Sequence, residues 1–459
     1  MHFEQVPGSF RDPSGFLFVS DGEIYRQINL SYKNNYDYLF GSGLYDALVS
    51  AGLLIPHEEV EIDFPDPNKG YKVIKPTRIS FISYPYEWSF SQLKHAALTT
   101  LKIQKIALEH GMSLKDSSAY NIQFQDGCPI LIDTLSFEKY VEDRPWVAYK
   151  QFCQHFLAPL ALMSMTDIRL NQLLRVYIDG CPLDLASRLL PFKSHFRFSL
   201  LSHIHLHAKA QMRYADTKEK SRKHDPKLSR RAFVGIIDNL ESTINDLKWE
   251  PKGTEWADYY KDTNYSPEGF EHKKRIVKEF ICESSPKTVW DIGANVGYFS
   301  RLASEEGVET VAFDIDPAAV EKNYLDVISS GEKNILPLIS DLTNPSPGLG
   351  WQNNERMSLI DRGPADMTLA LALIHHLAIS NNLPFSKISD FMSKICKWLI
   401  IEFVPKSDSQ VQRLLISRDD IFLEYNEKNF EHEFGKYFEL KRRIQIKDSE
   451  RVLYLCRRL

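Results

Sequence analysis

Between Thr288 and Gly307 the sequence reads TVWDIGANVGYFSRLASEEG: an apolar strand pattern, a turn carrying two glycines, and an amphipathic helical pattern in immediate succession. Gly293 and Gly297 permit a tight turn and close backbone approach to a ligand, with Asn295 between them, and Asp291 at the strand end can accept hydrogen bonds. Gly307 suits the helix terminus. A second strand pattern, ETVAFDID, ends at Asp314 and Ile315, with Asp314 about 21 residues beyond Gly293. At that spacing a carboxylate can hydrogen-bond the hydroxyls of a ribose.

The turn reads Gly-Ala-Asn-Val-Gly instead of the GxGxxG that cradles a pyrophosphate. It therefore suits a nucleoside cofactor with no phosphate to hold, which favours S-adenosyl-L-methionine over NAD. Taken alone, the glycines would only make a turn and the acids would only cap helices, but further motifs follow in order. LISDLTNP carries Asp341 and Leu342, ADMTLALALIHHLAI runs as a strand from Asp366 towards His375 and His376, and KWLIIEFVP carries Glu402. Two last strand patterns, YFELKRRIQI and RVLYLCRRL, end the chain.

With these motifs, the sequence from about Trp256 to Leu459 resembles the class I S-adenosylmethionine-dependent methyltransferases. The resemblance implies a Rossmann-like seven-stranded α/β sheet closed by an antiparallel hairpin. It also implies Asp314 as the ribose ligand, Asp341 and Leu342 beside adenine, and His375, His376 and Glu402 at the cofactor side of the sheet. ALIHHLAISNNLPFSKI and IEFVPKSDSQVQRLL further resemble a narrower group of bacterial methyltransferases associated with nodulation, which implies a small-molecule or glycan-type acceptor.

Methyl transfer is an in-line displacement, so placing the nucleophile about 3 to 3.5 Å from the methyl carbon and excluding water supplies much of the rate. A base is needed only if the acceptor must shed a proton. His375 and His376 are candidates for that base, since imidazole titrates near neutral pH, and Glu402 is a candidate to orient one of them or to bind an acceptor hydroxyl. One of two adjacent residues commonly points into the sheet or caps the next helix, so the pair has a structural reading too. Trp256, Tyr259, Tyr260 and Tyr265 could close a lid over the site or pack as a helix on the sheet.

A second constellation lies in the first half. In SLKDSSAYNIQFQDGCPILID, Asp116, Asn121 and Asp133 keep the spacing with which a kinase catalytic loop orients a hydroxyl and holds magnesium. RISFISYPY has a strand-like pattern, and from about Asp21 to Pro191 the chain resembles a protein-kinase-like α+β fold, with FISYPYEWSF as the interlobe strand and hinge and SQLKHAALTTLKIQKIALEHG as the long helix before the loop. It departs from that pattern in three places: no glycine-rich phosphate loop precedes it, Arg26 stands where a strand Lys is expected, and TLS follows the last Asp. The alternatives are a kinase-like phosphotransferase using Asp116, Asn121 and Asp133, a nucleotide-binding site that keeps them without transfer, and a turn in which these residues satisfy backbone groups.

The elements that must position these residues divide the chain into an N-terminal α+β domain over 1–207, a basic linker and connecting helix over 208–254, and a methyltransferase domain over 255–459. The length of 459 residues fits two domains. With 43% hydrophobic residues the chain can build buried cores, and a net charge of only -5 offers no global field for nucleic acid or an anionic membrane. Six scattered cysteines form no CxxC pair or His/Cys cluster, so no metal site is expected. The polar N-terminus and the lack of an apolar run of about 18 residues lead to the expectation of a cytoplasmic protein. An alternative to an enzyme is a protein that keeps the cofactor pocket as a sensor or scaffold.

Overall fold

The computed structural model describes residues 2–209, 228–251, 265–416 and 420–459. Two compact units emerge: one comprises 1–250 with 349–356, the other 251–348 with 357–459. Trp256, Tyr259 and Tyr260 lie outside the described residues. No helix among the described residues is long and apolar enough to cross a membrane.

The first unit opens with five antiparallel strands, β1 (Glu4–Gln5), β2 (Gly15–Ser20), β3 (Glu23–Asn29), β4 (His57–Val60) and β5 (Gly70–Pro76), in the order β1-β2-β3-β5-β4. A helix over Phe90–Glu109 follows. Its start is set by Ser89, whose side chain accepts from the Gln92 amide while the Gln92 side chain accepts from the Ser89 amide. Beyond it come β6 (Met112–Leu114), β7 (Ile122–Gln125), β8 (Cys128–Leu131) and β9 (Phe137–Lys139), paired as β6 with β9 and β7 with β8. The expected α+β content is present, with one correction. RISFISYPY is not a strand but an irregular segment ending in the short helix Pro85–Glu87. Pro85 has no N–H for a ladder, and the Glu87 carboxylate turns back to the Tyr84 amide at 2.9 Å.

Part of the expected linker also belongs to the first unit. Residues Arg230–Asp246 form a helix whose Phe233, Ile237, Leu240 and Ile244 are buried at helical spacing. Lys105 of the long helix reaches Asp238 at 2.7 Å, and Lys94 reaches the carbonyl of Asn245 at 2.9 Å.

The second unit is built on β10 (Thr288–Ile292), β11 (Glu309–Asp314), β12 (Ile335–Ile339), β13 (Ala365–Ala370), β14 (Cys396–Phe403), β15 (Phe438–Gln445) and β16 (Val452–Arg458). Their order is β12-β11-β10-β13-β14-β16-β15, with β10 to β14 parallel and β16 antiparallel to both neighbours. Parallel strands covered on both faces read as continuous apolar runs, as in VAF of β11 and WLII of β14. Val289, Met367, Leu369, Ile400 and Leu455 share one core with Val277 and Phe280 of the helix Pro267–Ser284. The strand order reverses between β10 and β13, and such a reversal opens a crevice beyond the carboxyl ends of the strands.

Candidate functional site

The glycine turn sits at that crevice. Leaving β10, Gly293 takes φ 81°, and the amides of Gly293 and Ala294 donate to the carbonyl of Phe313 at 2.8 and 2.9 Å. These bonds hold the turn against the end of β11. Asn295 is also left-handed, at φ 53°, and its amide donates to Asp314 Oδ2 at 2.7 Å. The Asp316 amide donates to Asp314 Oδ1 at 2.8 Å, so one carboxylate stitches two loops together. A carboxylate has about four lone-pair positions, so Asp314 retains acceptor capacity towards the crevice. Gly297 serves a different purpose. A Cβ there would stand 2.5 Å from Asn323 Nδ2, so the glycine lets the turn approach the helix Pro317–Ser330.

A cavity of about 390 Å³ opens between the turn and the ends of β11, β12 and β13, within the range of small-molecule and cofactor sites. Asp291, Asp314 and Asp341 all line it, as do the expected Gly293, Asn295, Ile315 and Leu342. Burial pushes the Asp291 carboxyl up to about 7 and the Asp314 carboxyl up to about 6. Ser300 Oγ donates to Asp291 at 2.7 Å, and the Thr343 amide and hydroxyl hold Asp341 at 2.8 and 2.7 Å. Ile315 and Leu342 add apolar wall against which a base can lie.

The catalytic candidates divide. His376 lines the cavity, and burial followed by the charge of Arg451 lowers its imidazole to about 4. His375 does not line it. It is 2% exposed, its ring lies 4.1 Å from that of His376, and burial first, then its cationic neighbours, hold it well below the ordinary imidazole value. Glu402 is also absent from the wall. It is fully buried, accepting from Lys273 Nζ at 2.7 Å, from the Ala372 amide at 2.8 Å and from the Tyr265 hydroxyl. Burial pushes its carboxyl up, but Lys273 and Arg451 outweigh that and hold it below the usual carboxylate range. The expected roles of His375 and Glu402 at an acceptor are therefore corrected: both lie behind the wall, and Glu402 positions Lys273, Tyr265 and the loop after β13.

Lys273 and Tyr265 do reach the cavity. Arg451 donates to the Tyr265 hydroxyl at 2.8 Å and pairs with Asp408 at 2.7 Å, completing the buried network. Sequence reasoning missed Lys273, which stands among Lys274, Arg275 and Lys278. Its spacing held a signal nonetheless: Phe270, Lys273, Val277 and Phe280 fall on one helical stripe.

In the first unit, Asp116, Asn121 and Asp133 do converge. Asn121 Nδ2 donates to Ser136 Oγ at 3.4 Å, and Ser136 Oγ donates to Asp133 Oδ2 at 2.6 Å. Asp116, raised by burial and then by the charge of Asp133, accepts from the Ser118 amide at 2.9 Å and Gln151 Nε2 at 2.8 Å. The other Asp133 oxygen is paired with Arg26 and accepts the Leu135 amide at 3.2 Å. Among the described residues, no group of three or more His, Cys, Asp or Glu is placed to hold a metal ion.

The seven-stranded sheet, its strand order and the acid-lined crevice define the second unit as an S-adenosylmethionine-dependent methyltransferase fold. No protein-family model matches the chain. It is 36% identical over 460 residues to nodulation protein NoeA of Rhizobium meliloti (strain 1021), covering 99% of this chain and 96% of that protein. The chain belongs to the NoeA family. Solved structures with some likeness include magnesium protoporphyrin IX methyltransferase ChlM of Synechocystis PCC 6803 with bound SAH, at 17% identity and TM-score 0.32 over 44% of this chain and 93% of that one. Another is the N-methyltransferase NodS of Bradyrhizobium japonicum WM9, at 12% identity and TM-score 0.30 over 42% of this chain and 98% of that one. The fold of the second unit is given by its own sheet order.

Proposed function

We propose that the second unit transfers a methyl group from S-adenosyl-L-methionine to the oxygen or nitrogen of a small-molecule or glycan-type acceptor. The observation that carries this reading is the charge of the crevice. Three carboxylates line it, while its one lining lysine, Lys273, is neutralised by Glu402. Such a wall favours a cationic ligand with ribose hydroxyls and repels phosphates, which argues against a dinucleotide and against nucleic acid as acceptor. A place in nodulation, by the name of the NoeA relative, is compatible with a metabolite or glycan acceptor.

When bound, the cofactor supplies an electrophilic methyl group on a sulfonium. Asp314 would hold ribose hydroxyls, Ile315 and Leu342 would flank the base, and Asp291 and Asp341 would offset positive charge. His376, neutral above about pH 4, accepts a hydrogen bond from the acceptor's O–H or N–H and so orients its lone pair. His376 would then take the proton that the acceptor sheds. Tyr265, fixed by Glu402 and Arg451, closes one side of the cavity against water. We assign the first unit to acceptor or partner recognition on a kinase-like scaffold. A phosphotransferase would need Asp133 to bind magnesium, and its engagement by Arg26, Ser136 and the Leu135 amide weighs against that role.

The test is transfer of labelled methyl to a metabolite in cell extract. His376→Ala should slow transfer about 100-fold with cofactor affinity unchanged, and His376→Gln, which keeps a hydrogen-bond acceptor, should recover part of it. Cofactor binding with no labelled product in any extract would instead mark a sensor.

A further inference from the structure

The first unit carries an apolar surface that its own fold does not use. Phe192, Phe196 and Phe198 are 76%, 78% and 76% exposed, whereas phenylalanines are ordinarily buried. Leu189 and Leu206, also exposed, belong to the same local structure. The underside of this surface is rigidly held: buried His205 is bonded to Ser187 Oγ at 2.7 Å and Ser194 Oγ at 2.9 Å, and its ring stacks on His195 at 3.7 Å. The phenylalanines are therefore presented outward from an anchored base.

Charge says what covers them. Lys193 and Arg197 alternate with the phenylalanines and are exposed, Arg188 is exposed nearby, and no Asp or Glu occurs between Asp184 and Asp216. The net charge of -5 conceals this acid-free window. Exposed aromatic side chains interleaved with cations and free of acids match a bilayer interface, where rings enter the acyl boundary and cations meet anionic headgroups. A protein partner with a complementary apolar face would not call for the exclusion of acids over so long a stretch. We propose that Phe192, Phe196 and Phe198, with Lys193 and Arg197, form a peripheral anchor to an anionic lipid surface. This anchor lies wholly in the first unit and does not depend on the methyl-transfer reading.

The test is co-sedimentation of the full chain with vesicles of phosphatidylcholine alone or with roughly a third phosphatidylglycerol. The unaltered chain should bind the anionic vesicles more tightly than the neutral ones, and less tightly as salt rises. F192S/F196S/F198S and, separately, K193E/R197E should each weaken that binding by more than about tenfold, with melting temperature unchanged. Two results would overturn the proposal: no binding of the unaltered chain to anionic vesicles, or equal binding by both variants. A dimer in light scattering that the triple substitution converts to monomer would assign the face to a second copy and overturn it as well.

Discussion

Replacing Glu402 by Gln keeps the shape and an acceptor for the Ala372 amide but removes the charge that balances Lys273. Lys273 Nζ lies 2.7 Å from Glu402, and the two side chains are 3% and 0% exposed. At an effective dielectric of about 20 a contact of that length is worth roughly 6 kcal/mol of attraction, offset by the desolvation of both ions. What the substitution exposes is the uncompensated cation, and breaking a buried pair from one side costs about 3–5 kcal/mol. Arg451 keeps its partner Asp408 at 2.7 Å, so the damage centres on Lys273. For a unit of about 200 residues this lowers the melting transition by roughly 6–20 °C. Thermal unfolding followed by circular dichroism reads the shift. Adding Lys273→Met to Glu402→Gln should recover a good part of the loss, because the double variant buries no unpaired charge. A Glu402→Gln variant within about 1 kcal/mol of the parent, or effects of the two changes that simply add, would refute the reasoning.

Gly297→Ala should destabilise the second unit by roughly 1–3 kcal/mol in denaturant unfolding, since φ is 78° there and the new methyl meets Asn323 Nδ2 at 2.5 Å. The pH response has two signs. Asp291 and Asp314 titrate near 7 and 6, above the ordinary value of 3.8, so the folded state binds more protons than the unfolded chain across that window. Stability without cofactor should therefore fall as pH rises from about 4 to about 7, whereas affinity for a cationic cofactor should rise through the upper part of that window as the carboxylates ionise. Calorimetry at a series of pH values checks both.

The sheet of the second unit was legible because its parallel strands are short, largely apolar segments alternating with helical patterns, and because Asp314 closes β11 about 21 residues beyond the Gly293 turn. The pairing of Glu402 was not legible, since Lys273 and Arg451 lie far from it in sequence and meet it only when β14, β16 and the helix Pro267–Ser284 pack. Which of His375 and His376 faces the cavity depends on the turn after β13, where Ala372 takes φ 50°, and no period reports that. In the first unit the stripe Phe233, Ile237, Leu240 and Ile244 was readable as a packed helix, but the basic residues before it masked the signal. RISFISYPY misled because β-branched and aromatic residues suggest a strand where Pro85 and Glu87 enforce a turn.

The central claim is that the crevice beside Asp314 holds S-adenosylmethionine. Isothermal titration of the full chain with S-adenosylmethionine tests it most directly. The account predicts saturable binding, no detectable binding of NAD, and a loss of about 10- to 100-fold in affinity for a folded Asp314→Ala variant. Folded protein that fails to bind S-adenosylmethionine, or an Asp314→Ala variant that binds it as tightly as the parent, would contradict it.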